Sequence, residues 1–330
     1  MIPFSVLDLA PIVQGSTAAL ALKSSLDLAQ HAEKWNYKRF WLAEHHNMVG
    51  IASAATSVVI GHVAAGTKTI RVGSGGIMLP NHAPLVIAEQ FGTLDALFPG
   101  RIDLGLGRAP GTDGLTSRAL RRDLNVSAEQ FPRDVQELQA YLEPAGENQR
   151  VQAVPGAGSR VPIWILGSSL FGAQLAAALG LPFGFASHFA PDALMQALHI
   201  YRDRFQPSTQ LQKPYAMIGV NTLAADTDDE AKHLFTSVQM AFTNMHRGAR
   251  QQLAPPIANI DDYWTPGEKG SVEHMLAYSV VGSRATVGRK LQELIAATKA
   301  DEVMVTTSCH DHVKRLRSFE LVAQARDGLT

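Results

Sequence analysis

RFWLAEHHN, residues 39–47, runs an apolar segment into a carboxylate and two adjacent histidines. Its first six residues read as a strand. They lie between two stretches, 18–35 and 53–66, whose apolar residues recur at helical spacing. The same alternation continues outward. FSVLDL (4–9), TIRVGSGGIML (69–79), RIDLGLG (101–107), PIWIL (162–166), FGFAS (183–187), YAMIGVNTLAA (215–225) and EVMVTT (302–307) read as further strands. Helical patterns at 84–98, 128–143, 169–180, 193–205, 228–247, 284–299 and 311–326 separate nearly all of them.

Such alternation predicts a parallel sheet with right-handed crossovers, and eight repeats favour closure into a (β/α)8 TIM barrel over an open sheet. The runs do not alternate strictly, as expected of strands covered on both faces. No linker divides residues 1–330, so one barrel domain is expected, with insertion loops at its C-terminal face. The segment 248–279 is polar and rich in proline and glycine. It reads as a lid or binding loop.

Charge and composition remove other classes. With 29 basic and 30 acidic residues, the net charge is −1, and no basic block would meet nucleic acid or an anionic membrane. Apolar stretches are broken well short of the ~20 residues that span a bilayer. The one cysteine, Cys309, forms no intrachain disulfide, and the N-terminus lacks a signal-type pattern. A cytoplasmic protein is expected.

In a (β/α)8 barrel the catalytic groups sit at the C-terminal ends of strands. Those ends carry Asp8, Glu44-His45-His46, Ser74-Gly75-Gly76, Gly107-Arg108, Gly167-Ser168-Ser169, Ser187-His188, Asn221 and Ser308-Cys309-His310. Neighbouring histidines on a strand point to opposite faces and make a poor metal pair, so no metal site is expected. Glu44 shares a face with Phe40 and Leu42. If that face points into the barrel, Glu44 closes the core from above. His45 then stands at the mouth with a pKa suited to proton transfer, and His46 takes a structural role.

Gly75-Gly76 inside a strand marks a bulge or the close approach of a flat ring. Arg108 follows a strand directly, and its donor fork suits phosphate. Gly167-Ser168-Ser169 joins a strand to a helix, which makes an anion site, although serine capping explains it as well. Together Arg108 and the two serines suggest a phosphate cradle. It is not a P-loop, because no Gly-Lys-Ser/Thr follows.

These pieces resemble the bacterial luciferase-like flavin monooxygenases over essentially the whole chain. The likeness is densest in 40–47 and in GTKTIRVGSGGIMLPNHAPLVIAEQFGTLDALFPGRIDLGLGRAPG (66–111). It returns in LGSSLFGAQLAAALGLPFGFA (166–186) and VGSRATVGRKLQEL (281–294). The resemblance implies a barrel, commonly dimeric, that binds reduced FMN, or alternatively the deazaflavin F420, at its mouth. It assigns catalysis to His45 with Glu44 beside it. It places Gly75-Gly76, a pair often joined by a cis peptide, beneath the flavin. It gives the phosphate to Arg108, Ser168 and Ser169, and makes 248–279 the lid. The implied function is an FMN-dependent monooxygenase that takes reduced flavin from a separate reductase and uses O2 to oxidise a small organic substrate. Two departures matter. Gly107 stands where the luciferase α chain has cysteine, which leaves space beside the flavin, and Ser168 stands where that chain has an acidic residue. Light emission is therefore not implied. Two other readings stay open: hydride transfer from F420 or flavin without oxygen chemistry, and a flavin-binding protein with no activity.

Overall fold

All eight strand-like runs become strands of one closed barrel. The computed structural model describes residues 2–109, 114–120 and 124–329. The ring consists of Phe4–Asp8 (β1), Arg39–Leu42 (β2), Arg71–Met78 (β3), Ile102–Gly107 (β4), Ile163–Gly167 (β5), Phe183–Phe185 (β6), Ala216–Ala225 (β7) and Glu302–Thr306 (β9). Each pairs in parallel with its neighbours in that order, β6 pairs with β7, and β9 returns to β1. A ninth strand, Val280–Ser283 (β8), lies outside the ring. It pairs only with the last four residues of β7, from Thr222↔Val280 to Ala225↔Ser283. Helices cover the outside: Ala18–Lys34 (α1), Thr56–Gly66 (α2), Pro84–Leu97 (α3), Gly114–Ala119 (α4), Leu124–Leu142 (α5), Leu170–Leu179 (α6), Leu194–Asp203 (α7), Asp228–His246 (α8), Pro266–Met275 (α9), Arg284–Thr298 (α10) and His312–Asp327 (α11).

Strand parity divides the core in two. Phe4, Val6, Phe40, Leu42, Val72, Leu104, Val303 and Val305 pack outward in one shell with the helices. Leu7, Trp41, Ala43, Trp164, Met217 and Met304 form a separate layer inside the ring. Trp41 and Trp164 meet there edge to face, with centroids 5.2 Å apart. This corrects the expected direction of Glu44. Phe40 and Leu42 face the helices, so the face that Glu44 shares with them points away from the lumen. The inward set on this strand is Trp41 and Ala43, and it is the parity of His45 that continues it.

Below the aromatic layer the barrel is plugged by charge. Arg39 pairs with Asp103 at 2.6 Å and with Glu302 at 3.0 Å, and Arg71 holds the other oxygen of Asp103 at 2.6 Å. Buried charges persist only when paired in this way. The N-terminal end is thus closed, and any small molecule must enter from the other end.

The segment 248–279 is not an irregular loop. It contains a 3-10 turn, Ile260–Asp262, and α9. Thr265 caps the Glu268 amide while Glu268 reaches back to the cap, a reciprocal box that starts α9 at Pro266. Trp264, Val272 and Leu276 pack with Leu223, Leu234, Phe235 and Cys309 in a small apolar cluster of their own. The beginning of the segment is tied to the barrel mouth. The Leu253 amide donates to the Ile12 carbonyl at 3.2 Å, and the Leu253 carbonyl accepts from Gln14 at 2.9 Å. Arg250 Nη1 donates to the Asn47 carbonyl at 2.8 Å.

Candidate active site

Glu44 is buried and accepts from every side. Its carboxylate takes bonds from His46 Nε2 at 2.7 Å, His82 Nε2 at 2.9 and 3.0 Å, the Met78 amide at 2.9 Å and Asn81 Nδ2 at 3.3 Å. Burial alone would raise its pKa. The bond and charge of His82, the His46 bond and the Met78 amide outweigh burial and hold the carboxyl below its ordinary range. The Glu44 amide also donates to the Gly76 carbonyl at 3.2 Å. Glu44 therefore fixes the end of β3 and the turn that follows. It does not close the lumen.

His46 was expected to be merely structural, and the structure gives it a defined place against Glu44. His82 joined the cluster from 38 residues away, with no local sequence signal to announce it. Donor atoms of Glu44, His46 and His82 lie within 4.8 Å of one another, a spacing that a metal ion could bridge. The hydrogen bonds among them account for the arrangement without one.

His45 follows Glu44 at the mouth and faces His188 at the end of β6. Burial first, and the nearby charge of His45 second, disfavour a charge on His188. His188 lay among the polar strand ends but carried no assigned role in the sequence.

The peptide between Gly75 and Gly76 is cis. The register between β3 and β4 shifts at this point, from Gly75↔Gly105 to Ile77↔Leu106, so the bulge is present. A Cβ on Gly75 would stand 2.7 Å from Leu7 Cδ1, and one on Gly76 would stand 2.8 Å from the Gly105 carbonyl oxygen. Backbone packing therefore demands a glycine at 76, whereas the nearest obstacle at 75 is the movable tip of Leu7. A Cβ on Gly107 would meet the flexible Met78 side chain, with Sδ at 2.8 Å, and no backbone atom closer than 3.9 Å.

Arg108, Ser168 and Ser169 are exposed together at the rim. The Arg108 guanidinium lies 4.2 Å from the ring centroid of Phe171, the second residue of α6. Ser169 is the N-cap of α6, in extended conformation, yet its side chain makes no capping bond. The amides of the first turn thus remain open to an external acceptor. The glycine-rich run after Arg108 continues through Pro110 and Gly111, which lie outside the described residues.

The sequence profile of the luciferase-like monooxygenases matches residues 2–302. A luciferase-like monooxygenase of Escherichia coli (strain K12) is 57% identical over 328 residues, covering 99% of this chain and 98% of that one.

The chain belongs to the luciferase-like monooxygenase family.

Within that family, the N-acetyl-S-alkylcysteine monooxygenase of Bacillus subtilis (strain 168) is 32% identical over 98% of both chains. The crystal structure of apo-MsnO8 superposes with a TM-score of 0.89 at 35% identity, covering 100% of this chain and 99% of that one. Two more distant barrels share the fold alone. One is the oxygenating constituent of 3,6-diketocamphane monooxygenase in complex with FMN, at TM-score 0.74 and 17% identity, with 100% and 99% of the chains covered. The other is an F420-dependent secondary alcohol dehydrogenase with an F420-acetone adduct, at 0.70 and 13%, with 98% of each chain covered. Of these two barrels, one thus holds FMN and the other an F420 adduct. Among the described residues no helix is long and apolar enough to cross a membrane.

Proposed function

We propose that this protein is an FMN-dependent monooxygenase. It takes reduced flavin from a separate reductase and uses O2 to oxidise a small organic substrate. The observation that carries the reading is the stacking of Arg108 over Phe171 at the open N-terminus of α6. It brings a fixed cation and uncommitted backbone donors to one exposed spot, which suits a phosphate monoester. Arg108, Ser168 and Ser169 would hold that phosphate. Gly75 and Gly76 would lie beneath the ring.

Reduced flavin, when bound, supplies the electrons with which O2 is activated. The chain's residues do the rest. His45 holds or moves a proton at the mouth. Glu44, pinned by His46, His82 and Met78, keeps the end of β3 in place beneath it. The segment 248–279 acts as a lid that keeps water from the mouth.

The FMN-bound barrel supports FMN as the cofactor, and the N-acetyl-S-alkylcysteine relative supports a small-molecule monooxygenation. The F420-dependent barrel keeps a hydride-transfer reading in view. That reading requires substrate turnover without O2 consumption. We place the protein in the cytoplasm beside its reductase, and we assign it a homodimer. Val58 on α2 and Val86 and Leu97 on α3 are exposed apolar residues on adjacent helices, and pairing would cover them.

Titration with FMN, reduced FMN and F420 tests the reading, using wild type and Arg108→Ala. FMN is expected to bind wild type and to bind Arg108→Ala about 10- to 100-fold more weakly, the loss of a charge-assisted pair. Equal affinity for the two proteins removes the phosphate site. Preferential F420 binding, with turnover that spares O2, replaces the monooxygenase with the hydride-transfer reading. Tight FMN retention with no activity leaves a flavin-binding protein.

A further inference from the structure

A cavity of about 690 Å³ lies outside the ring, between α8, α9, β8 and α10. Neither Glu44, His45, Arg108 nor Ser168 is on its wall, so it is separate from the mouth. One side follows a single face of α8, on which Asp229, Lys232, Thr236 and Gln239 recur at helical spacing. Asp229 and Gln239 lie about 15 Å apart along the axis, given the rise of an α-helix. The cavity is therefore a trench, longer than it is wide. Phe235, Ile260, Leu276 and Val281 give it an apolar lining. Phe235 and Leu276 belong to the small cluster beneath α9, onto which the trench opens. A volume of this size suits a small organic ligand.

The charges around the trench are not evenly matched. Asp229 is met by Lys232 at 3.4 Å, and Glu273 on α9 lies in the field of Lys269. Lys290 is half-buried on α10, and its ammonium donates to the Val281 carbonyl at 3.3 Å. Among the described residues it has no carboxylate partner, and an ammonium with one such bond keeps two further donors to offer. The Gln239 side chain, also half-buried on this wall, makes no hydrogen bond among the described residues. No arginine lines the trench. One ammonium is a point charge that suits a single negative charge, whereas a phosphate dianion is better matched by a guanidinium fork.

We infer that this trench is a second ligand site, which takes an elongated apolar monocarboxylate. The apolar chain lies along Phe235, Ile260 and Leu276, and the carboxylate accepts from Lys290 Nζ. The site stands apart from the flavin reading and does not depend on it. Since α9 belongs to the segment 248–279, an occupant also ties that segment to α8.

The test uses the full chain with 13C-labelled isoleucine methyl groups, titrated with hexanoate, octanoate, decanoate and 1-decanol. Ile260→Val identifies the Ile260 signal, and circular dichroism checks the fold of each variant. That signal is expected to shift in wild type as decanoate binds. Affinity should rise from hexanoate to decanoate, by up to about fourfold for each methylene the trench buries. Decanol should bind wild type about tenfold more weakly than decanoate does, the worth of one bond to a charged group, and Lys290→Gln should lose decanoate affinity by the same factor. Ala277→Trp, which places a large side chain on the wall, should abolish the Ile260 shift. Arg108→Ala should bind decanoate as wild type does. Equal affinity for decanol and decanoate overturns the inference, and so does unchanged decanoate binding in Lys290→Gln. Decanoate binding that Arg108→Ala loses and Lys290→Gln keeps would move the acid to the mouth and overturn it too. A wild type that binds none of the four removes the site, and the flavin reading is untouched.

Discussion

The Arg108 guanidinium stacks 4.2 Å from the ring centroid of Phe171, inside the first turn of α6. The contact joins the end of β4 to the helix that follows β5. It presets the cation beside open backbone amides and does not leave it to find a phosphate by rotation. A cation–π contact at an exposed site is worth about 0.5–1 kcal/mol. Phe171→Ala should therefore weaken FMN binding only about two- to fivefold and leave the fold intact. Riboflavin, which lacks the phosphate, separates this from general loosening. Phe171→Ala and Arg108→Ala should both lose affinity for FMN and keep their affinity for riboflavin. An equal loss for both ligands would mean that Arg108 and Phe171 shape the ring site instead.

Glu44 sets a second expectation. Four groups converge on one buried carboxylate, so removing its charge strands several donors at once. Glu44→Gln should lower stability by about 1–3 kcal/mol, measured by urea unfolding. His82→Ala should leave the carboxylate partly unpaired, raise its pKa and cost a similar amount. Since the hydrogen bonds alone explain the cluster, EDTA should change neither the melting temperature nor FMN affinity. A melting temperature that falls with EDTA and recovers with Zn2+ would convert the cluster into a metal site.

What could be read from the sequence was whatever had a local physical signature. The eight ring strands are β-rich runs bounded by turn residues and helical patterns, and each formed within a few residues of its expected ends. The meeting of Arg108 with the start of α6 followed from one positional rule about barrel strand ends. The four-residue strand β8 was missed because its only partner is the overhang of β7. Helix α9 was missed because Gly267 and Gly270 argue against a helix, although the Thr265-Glu268 box favoured one. The face of Glu44 was misjudged for a different reason. Which parity of a strand enters a barrel depends on register with its neighbours, and a shift of one residue reverses every side chain. The approach of His82 to Glu44 and the opposition of His188 to His45 are long-range pairings that only the closed ring creates.

Glu33 gives the clearest pH dependence. One of its oxygens accepts from the amides of Lys68 at 2.8 Å, Thr69 at 2.5 Å and Ile70 at 2.9 Å, which ties α1 to the turn before β3. Burial opposes the charge, but these bonds outweigh it and pull the pKa from 4.5 to about 2. A carboxyl with a depressed folded pKa stabilises fully above its unfolded pKa, and that stability is lost as pH falls through the folded value. Glu33→Gln should therefore be less stable than wild type by about 1–2 kcal/mol at pH 7. The gap should narrow as pH falls from about 4.5 toward 2. Urea midpoints at pH 7, 5, 4 and 3.5 would show it, and a gap constant across that series rejects the assignment.

The segment 248–279 is anchored to the barrel mouth where Gly50 touches Gln251. A Cβ on Gly50 would stand 2.6 Å from the Gln251 carbonyl oxygen, closer than packed atoms allow. The Gly50 carbonyl also accepts from the Ile12 amide at 2.9 Å, in the loop that holds Leu253. Gly50→Ala must therefore push residues 250–253 off the mouth without altering the barrel strands. Trypsin cleavage after Arg250 should become several times faster, while the melting temperature falls by only a few degrees. If the segment excludes water from bound reduced flavin, more of the O2 consumed should also emerge as hydrogen peroxide. Gly146→Ala supplies the control, because a Cβ there meets nothing within 4 Å. It should match wild type in both assays. Faster cleavage without added peroxide would keep the anchor and remove the shielding role. Unchanged cleavage would show that the segment is held to the barrel by contacts other than this one.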